Sequence, residues 1–462
     1  MSDPTPTDRD AASEAPDREN PAQPIDEIRE ALAGWRIERV MELAEPLHAA
    51  DVAHLLEHLT RDERALYLRI TRHVIDPETL TYLDETVREE VMELLGPREL
   101  AAAVAQLDSD DAVEVLEDLG DEAKQRILDS IPAAERALLE EGLTYPDDSA
   151  GRMMQRELVA VPSFWTVGET IDYLRAKDDL PDAFYDLFVV DPTHKPVGTV
   201  PLSRAMRARR AVRLADIMET ELRSIPVSMD QEAVAHLFRQ YGLVSAPVTD
   251  EGGRLVGVVT VDDVVHVIDE EAEEDLMKLG GVREDDLYRA AIDTTRARFS
   301  WLVVNLLTAI LASAVIGVFQ GNIEQIVALA VLMPIVASMG GNAGTQTLTV
   351  AVRALAMKEL TRDNALRFVG KELLVGSFNG VLFAALTGAV AWLWFGLPAL
   401  GLVIAAAMMF NMAVAGLSGT LIPLGLERLG IDPAIASGVF VTTVTGVVGF
   451  FAFLGLAGLV LL

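Results

Sequence analysis

The sequence predicts a multidomain chain with an α-helical superhelical region, an α/β region of two repeats and an all-α polytopic membrane region of five helices. Half of the 462 residues are hydrophobic and mean hydropathy is +0.27, yet 24% of them are charged. The charge is unevenly divided, because six acidic and six basic residues balance from Phe299 onward and the whole net charge of −33 lies before it. A single globular domain rarely combines such a high hydrophobic content with so many charges. Two different repeats occupy the charged part.

The predicted parts follow these changes in composition. They are a disordered tail at 1–24, a helical domain at 25–147, an α/β pair at 148–270 (repeats 148–210 and 211–270), a connecting helix at 271–298 and a membrane domain at 299–462. The absence of cysteine excludes disulfides and thiolate metal sites. An acidic soluble part repels nucleic acid, so no nucleic-acid partner is expected. Seven scattered histidines without a nucleophile–base pattern argue against an enzyme.

The helical region contains a repeated unit. LHAADVAHLLEHL at Leu47–Leu59 matches LDSDDAVEVLEDL at Leu107–Leu119, and Leu95–Leu107 is a weaker copy. Repeats of this length predict a small stack of helix pairs.

The α/β region contains a second repeat, whose two matched pairs of segments are offset by 64 and 59 residues. Arg152–Pro162 matches Asp216–Pro226, and Leu187–Met206 matches Ala246–Val265. Each copy reads as an entry segment, a helix, two strands and a closing helix. The pattern resembles a tandem pair of CBS modules, which form one pseudo-symmetric disc.

The resemblance to CBS pairs implies a nucleotide site. The second copy keeps a Gly-x-x-Thr-x-x-Asp pattern at Gly257, Thr260 and Asp263, whereas the first copy has Pro201 and Arg204 at the last two places. At most one good site for an adenine nucleotide such as ATP is therefore implied. A purely structural CBS pair is the alternative.

An acidic run follows the α/β region, where every residue from Asp269 to Asp275 except Ala272 is acidic. Like charges at helical spacing repel one another, and a divalent cation would turn that repulsion into attraction. A solvated charged face is the ordinary explanation. The run precedes the first membrane span directly, which favours a cation sensor that moves against the membrane domain.

Five apolar stretches are long enough to span a bilayer. They begin at about Phe299, Ile323, Leu373, Pro398 and Pro433. Arg296 and Arg298 flank the first span, and five Lys or Arg lie between the second and third spans, so the positive-inside rule places the N-terminal domains in the cytoplasm and the C-terminus outside. Five helices do not readily enclose a hydrated pore, so we predict a homodimer in the lipid of a cell membrane. Packing of small residues within one subunit is the alternative use of the glycine pairs.

The second span carries the chemical centre, PIVASMGGNAGTQTLTVAVRALA from Pro334 to Ala356. Proline and glycine predict an interrupted helix whose freed carbonyls line a wet cavity. Oxygen-rich and charge-poor linings suit hydrated Mg2+. The predicted pore residues are Gly340, Gly341, Asn342, Gly344, Gln346, Thr442 and Gly446.

The order of parts, the Pro334–Ala356 motif and DPAIASGVFVTT at Asp432–Thr443 resemble the MgtE family of magnesium channels. The resemblance implies a homodimer with one central pore, passive Mg2+ flux, and closure when cytosolic Mg2+ binds between the acidic domains and the connecting "plug" helix. The implied regulatory ligands are Glu78, Asp110, Glu114, Asp230, Asp263, Glu271, Glu274 and Asp275. The implied ATP contacts are Tyr241, Asp262 and Asp263.

The chain departs from the family's pattern in the fifth span. The family carries an aspartate that holds hydrated Mg2+ in the pore, and Gly446 stands at that position in VTTVTGVVGFF. No other acidic residue is expected deep in any span. Three hypotheses follow: a gated Mg2+ channel, a non-conducting or weakly conducting homologue that senses Mg2+ or nucleotide, and a carrier for Co2+ or Mn2+.

Overall fold

A computed structural model describes residues 22–72, 75–177, 180–181, 183–282, 291–361 and 363–462. The chain divides into two compact units, Met1–Ile268 and Asp269–Leu462, and each is described by itself. The predicted disordered tail lies outside the described residues as far as residue 21. The first helix begins at Ala22, three residues before the predicted end of the tail is passed.

The first unit begins with nine short helices. They are α1 Ala22–Ala33, α2 Ile37–Ala44, α3 Ala49–His58, α4 Arg61–Thr71, α5 Glu85–Leu95, α6 Pro97–Val104, α7 Ser109–Glu117, α8 Asp121–Leu128 and α9 Ala133–Gly142, with a 3₁₀ turn at Pro77–Leu80. Side-chain caps fix several of the starts. Thr60 and Glu63, for example, form a capping box at α4. The leucines and valines of the repeated unit form one continuous core.

The α/β part of this unit consists of two three-stranded sheets of the same topology. Its elements are β1 Ala160–Pro162, α10 Val167–Ala176, β2 Asp186–Val190, β3 Pro196–Pro201, α11 Leu202–Arg207, β4 Ile225–Pro226, α12 Gln231–Tyr241, β5 Ser245–Thr249 and β6 Leu255–Thr260. In each sheet the first strand is parallel to the second, and the second is antiparallel to the third.

Two glycines show how closely the two copies agree. A Cβ at Gly198 would lie 2.7 Å from Met218 Sδ, and one at the equivalent Gly257 would lie 2.6 Å from Met154 Sδ. Both strands therefore need glycine where an entry segment crosses them. The predicted tandem repeat is confirmed.

Helix α13, Val261–Gly280, follows β6 directly and contains the boundary between the two units. It begins ten residues before the predicted connecting helix and ends near Gly281, whose φ is 69°. Residues 283–290 of the predicted helix lie outside the described residues.

The second unit contains the membrane helices. They are α14 Ala291–Val318, α15 Gln320–Gln325, α16 Ala328–Ala356, α17 Ala365–Phe395, α18 Pro398–Arg428 and α19 Pro433–Val460. Among the described residues, five of these helices are long and apolar enough to cross a membrane, and the short α15 is not. The prediction of five membrane helices is confirmed.

The predicted interruption of the second span is wrong, because α16 continues as a helix through Pro334, Gly340, Gly341 and Gly344. Removing one backbone donor and several side chains does not break a helix whose neighbours pack against it.

The glycines of α17 and α18 pack these two helices together within one subunit. A Cβ at Gly376 would lie 2.7 Å from Met412 O, and one at Gly401 would lie 2.7 Å from Gly388 O. These backbones approach closely because no side chain separates them. These glycines therefore pack helices within one subunit, which is the alternative to a role in the dimer interface.

One acidic side chain near the start of the third membrane helix is buried against a neighbouring helix. Helix α17 begins eight residues before the predicted third span, so Glu372 lies on its second to third turn and is buried. Its Oε2 accepts a hydrogen bond of 3.3 Å from Thr347 Oγ1 of α16, and its Oε1 lies 3.2 Å from Lys371 Nζ. Glu372 lies near the start of this helix, so the expectation that no other acid lies deep in a span stays a prediction.

Candidate functional site

Three aspartates form a cluster in the first unit, in which Asp110 is buried and Asp111 and Asp263 are half-buried. Asp110 and Asp111 open helix α7, where the positive end of the helix favours anions, and Asp263 lies in the first turn of α13. Asp110 is only 8% exposed, and its Oδ1 is a buried atom without a hydrogen-bond partner. A buried carboxylate oxygen of this kind is costly unless a cation accompanies it.

The cluster is held against electrostatic repulsion. Burial, and then the charges of Asp263 and Asp111, raise the pKa of Asp110 well above its usual value. Burial and the charge of Asp263 raise the pKa of Asp111 to about 7. Burial raises the pKa of Asp263 to about 6, although Thr260 Oγ1 donates a 2.7 Å hydrogen bond that opposes the shift. Carboxylates in this state fit a hard divalent cation such as Mg2+.

The other predicted regulatory residues of this unit have different surroundings. Glu114 forms an ion pair with Arg88. Arg88 Nε also lies 2.6 Å from Asp118 Oδ2, so one guanidinium partly compensates two carboxylates. Asp230 is the N-cap of α12 and accepts hydrogen bonds from Glu232 N and Ala233 N. Glu78 lines a cavity and contributes to the raised pKa of Asp111.

This cavity has a volume of about 360 Å³ and an acidic lining. Its carboxylates are Glu78, Asp108, Glu157, Asp186 and Asp262. Within the described part of the chain, no lysine or arginine lines it. The predicted nucleotide contacts are divided, since Asp262 lines the cavity while Tyr241 lies outside it, half-exposed beneath the guanidinium of Arg223 at 4.4 Å.

A second charged cluster lies in the second unit, where α13 meets α19. Lys278 Nζ forms ion pairs with Glu274 and with Asp432 Oδ2, the latter at 3.0 Å. Asp432 Oδ1 accepts a 2.8 Å hydrogen bond from Ala434 N and so caps α19. Burial and then the charge of Asp432 raise the pKa of Asp275. The ammonium of Lys278 therefore lies where carboxylates from two helices converge.

Apolar contacts hold the same end of α13 in place. Leu279 packs against an apolar cluster that contains Leu348 and Val352 of α16 and Val441 of α19. Burial alone would lower the pKa of Lys278, but its hydrogen bonds to Glu274 and Asp432 raise that pKa. Glu271 lies about one turn before Glu274 on α13 and is half-buried.

Helix α16 presents a polar stripe on an exposed face. The stripe consists of Ser338, Asn342, Thr345, Gln346 and Thr349, all exposed in the described subunit. Their spacing places them within about a third of the helix circumference. Thr345 and Thr349 donate hydrogen bonds to Gly341 O and Thr345 O, so their oxygens remain as acceptors on that face.

The predicted pore residues divide between this face and the helix packing. Gly340 and Gly344 are buried, where a Cβ would lie 2.2 Å from Asn411 Nδ2 and 2.5 Å from Val441 Cγ1. On α19, Thr442 is exposed, and a Cβ at Gly446 would meet nothing within 4 Å. Gly446 thus lies beside open space, while Gly340 and Gly344 provide close helix contacts.

Sequence reasoning missed several charged residues of these clusters. Asp111 follows Asp110 directly, and a pair of acids at a helix start is a signal that could have included it. Lys278 and Asp432 come from distant segments, and no spacing rule connects them. Glu372, outside these clusters, fell between the predicted basic loop, which ended at Lys371, and the predicted third span, which began at about Leu373.

Three segments of the chain match the models of known families. A profile described as a divalent cation transporter, MgtE, matches residues 333–456. The MgtE intracellular N domain matches residues 47–148, and a CBS domain matches residues 214–270.

Curated relatives match nearly the whole chain. It is 30% identical over 428 residues to the magnesium transporter MgtE of Bacillus subtilis, covering 92% of this chain and 95% of that protein. It is 33% identical over 440 residues to the magnesium transporter MgtE of Thermus thermophilus, covering 94% and 98%. A solved structure of the cytosolic domain of the Mg2+ channel MgtE with ATP is 32% identical, with a TM-score of 0.49 over 53% of this chain and 99% of that one.

Proposed function

This chain belongs to the MgtE family of magnesium transporters, and from that membership we propose that it forms a Mg2+ channel that cytosolic Mg2+ closes. It is a multi-pass membrane protein with cytoplasmic N-terminal domains. The conducting unit in this proposal is a homodimer, with the C-terminus of each subunit outside.

The polar stripe of α16 is the observation that carries the proposal. Transferring an unpaired amide from water to hydrocarbon costs about 4–8 kcal/mol, so Asn342 and Gln346 are poorly suited to lipid. Polar residues inside a membrane normally face a bundle interior or a water-filled cavity. A second subunit would supply the missing wall, and the stripe would then face the water of a shared pore.

Hydrated Mg2+ would pass this pore without a carboxylate at position 446. Side-chain oxygens of Asn342, Gln346 and Thr442 would contact the waters that Mg2+ keeps. Their dipoles hold an ion more weakly than a charge does. We therefore expect a conducting pore whose preference for Mg2+ is modest.

Closure would use the two charged clusters. Mg2+ bound at Asp110, Asp111 and Asp263 would relieve repulsion among buried carboxylates, and the orphaned Asp110 oxygen fits such a ligand. The acidic run on α13 would respond to the same ion. Because Leu279 packs on α16 and α19, this end of α13 is well situated to obstruct the inner end of the pore.

ATP remains a proposed ligand of the CBS pair. Tyr241 and Arg223 offer an aromatic ring and a cation for a base and a phosphate. The acidic cavity would repel a free triphosphate, so we expect any nucleotide there to bind as its Mg2+ complex.

Flux into liposomes tests the proposal. The purified protein is reconstituted, Mg2+ entry is followed with a trapped indicator, and wild type is compared with Gly446→Asp. The open space at Gly446 admits the aspartate without a clash. We expect wild type to admit Mg2+, and Gly446→Asp to raise the preference for Mg2+ over Na+ by at least about tenfold, or about 1.4 kcal/mol.

Gly446→Asn is the matched control, because it adds nearly the same volume without the charge. Equal gains from Asp and Asn would show that the carboxylate charge is not what selects the ion. The absence of a pore acid favours a second candidate, a regulatory homologue that senses Mg2+ without efficient transport. No wild-type flux, together with flux in Gly446→Asp, would establish that candidate and overturn the channel.

A further inference from the structure

We propose that helix α3 carries a separate site for a transition metal ion, built from His54, Glu57 and His58. The three residues follow one another at i, i+3 and i+4, which places them on one face of the helix. One ligand atom from each lies within 4.8 Å of the other two. Small side-chain rotations bring such atoms to the separations of a shared ion.

The structure prepares His58 for metal binding. Its Nδ1 lies 2.8 Å from the backbone oxygen of His54, one helical turn earlier. In the tautomer that donates this hydrogen bond, the lone pair of Nε2 is free to coordinate a metal. Histidine ligands in proteins are usually oriented by a hydrogen bond from the second ring nitrogen.

Glu57 is positioned in a similar way. Its Oε1 accepts a 3.1 Å hydrogen bond from Asp84 N, so the side chain is anchored to the start of α5. Its other oxygen, Oε2, lies 3.8 Å from His54 Nδ1. The imidazole rings of His54 and His58 meet edge to face, with centroids 4.3 Å apart. Two imidazoles and one anchored carboxylate thus converge on an accessible face.

The donor set defines the class of metal. Imidazole suits Zn2+, Cu2+, Ni2+ and Co2+, whereas Mg2+ prefers oxygen ligands. Two neutral imidazoles with one carboxylate match a divalent borderline ion. The site therefore differs in chemistry from the buried aspartates, and it does not depend on whether the pore conducts.

Zn2+ binding to the full-length protein in detergent tests the site. Millimolar Mg2+ is present throughout to occupy the carboxylate sites, and Zn2+ affinity is measured by competition with a chromophoric chelator. We expect one Zn2+ per chain, and a fall of at least about tenfold in affinity for the double variant His54→Ala, His58→Ala, because even changes behind the ligands cost that much. Glu57→Gln should weaken binding by a smaller factor.

Two controls keep the result specific. His194→Asn removes an exposed histidine elsewhere in the same unit and should leave Zn2+ binding unchanged. Thermal unfolding with Mg2+ should be the same for every variant, which confirms that each one folds. X-ray absorption of the wild-type Zn2+ complex should show two imidazole ligands. Unchanged Zn2+ affinity in the double variant, or an equal loss in His194→Asn, would overturn the proposal.

Discussion

At the scale of single residues, Asp111 shows how burial and charge oppose each other in the soluble unit. Its carboxylate lies at a favourable helix start, yet burial, and then the charges of Asp263 and Glu114, raise its pKa. A folded chain accepts such a cost only when another interaction offsets it. The proposed regulatory Mg2+ supplies that interaction.

Replacing Asp111 by asparagine should stabilise the metal-free protein, because one repelling charge disappears at nearly constant volume. We expect an increase of about 1–2 kcal/mol in the free energy of unfolding without Mg2+, and a smaller stabilisation by Mg2+. Thermal unfolding with and without Mg2+ measures both. The exposed Asp121→Asn is the control and should change stability by less than about 0.5 kcal/mol. A destabilised Asp111→Asn protein would contradict the assignment.

The pH dependence follows from the same shifts. An acid whose pKa is raised by folding stabilises the fold below its ordinary pKa, here 3.8, and loses that contribution as the pH rises through the folded value. The pKa of Asp263 is raised to about 6 and that of Asp111 to about 7. The free energy of unfolding of the metal-free protein should therefore fall between about pH 4 and 7. The proposed Mg2+ would bind the deprotonated cluster, so the stabilisation by Mg2+ should be small at about pH 5 and large at about pH 8. Calorimetry across this range checks it, and a Mg2+ effect independent of pH would refute it. The charges that face the cluster are Glu78, Asp108, Glu114, Asp262 and His266.

At the scale of elements, helix α13 joins a charge cluster to the membrane helices through Lys278. The ammonium lies between Glu274 and Asp432. Without it, these two carboxylates and that of Asp275 would repel one another. The ammonium of Lys278 thus lies beside the carboxylates for which the family resemblance implies a bound Mg2+.

Replacing Lys278 by methionine should therefore loosen this end of α13. Methionine keeps the length of the side chain but removes its charge. We expect faster hydrogen exchange at residues 270–281 at low Mg2+, and recovery at millimolar Mg2+, because a divalent ion would take the place of the ammonium. Lys358→Met, at an exposed position, should leave the exchange unchanged. Equal exchange in wild type and Lys278→Met at low Mg2+ would show that the ion pairs do not hold the helix.

Elements proved more predictable than their continuity. The periodicity of the α/β repeat and the length of the apolar stretches identified the two sheets and the five membrane helices. The sequence could not show that α16 continues past Pro334, because its neighbours α18 and α19 stabilise it from outside. The position of Glu372 was missed for a related reason, since Thr347 of another helix satisfies its carboxylate.

At the scale of the whole molecule, the absence of cysteine makes the pore directly testable. A single cysteine at Gln346 would be the only thiol in the chain. In membranes, it should react with a charged thiol reagent, because the proposed pore contains water. Leu386→Cys, on an exposed apolar face of α17, should react far more slowly. Similar rates at both positions would place the stripe in lipid and contradict the pore.

The candidate sites were predictable only in part, for physical reasons. Acidic residues such as Asp110 and Asp263 were identified from the resemblance, yet their surroundings depend on contacts between segments 153 residues apart in the sequence. Glu114 looked equally suitable until Arg88 of another helix was found beside it. A sequence reveals which groups are present, whereas partners from distant segments determine which charges remain uncompensated.

The polar stripe of α16 also bears on how the protein is made. In the proposed homodimer, a newly inserted subunit would expose amides and hydroxyls to acyl chains until its partner binds, and each unpaired amide carries a free-energy cost in hydrocarbon. A lone subunit would therefore be less stable in the bilayer than the dimer. Its exposed polar stripe would be a feature that membrane quality-control proteases could recognise. We expect the abundance of this protein in cells to rise more steeply than its rate of synthesis, since orphan subunits are removed before they meet.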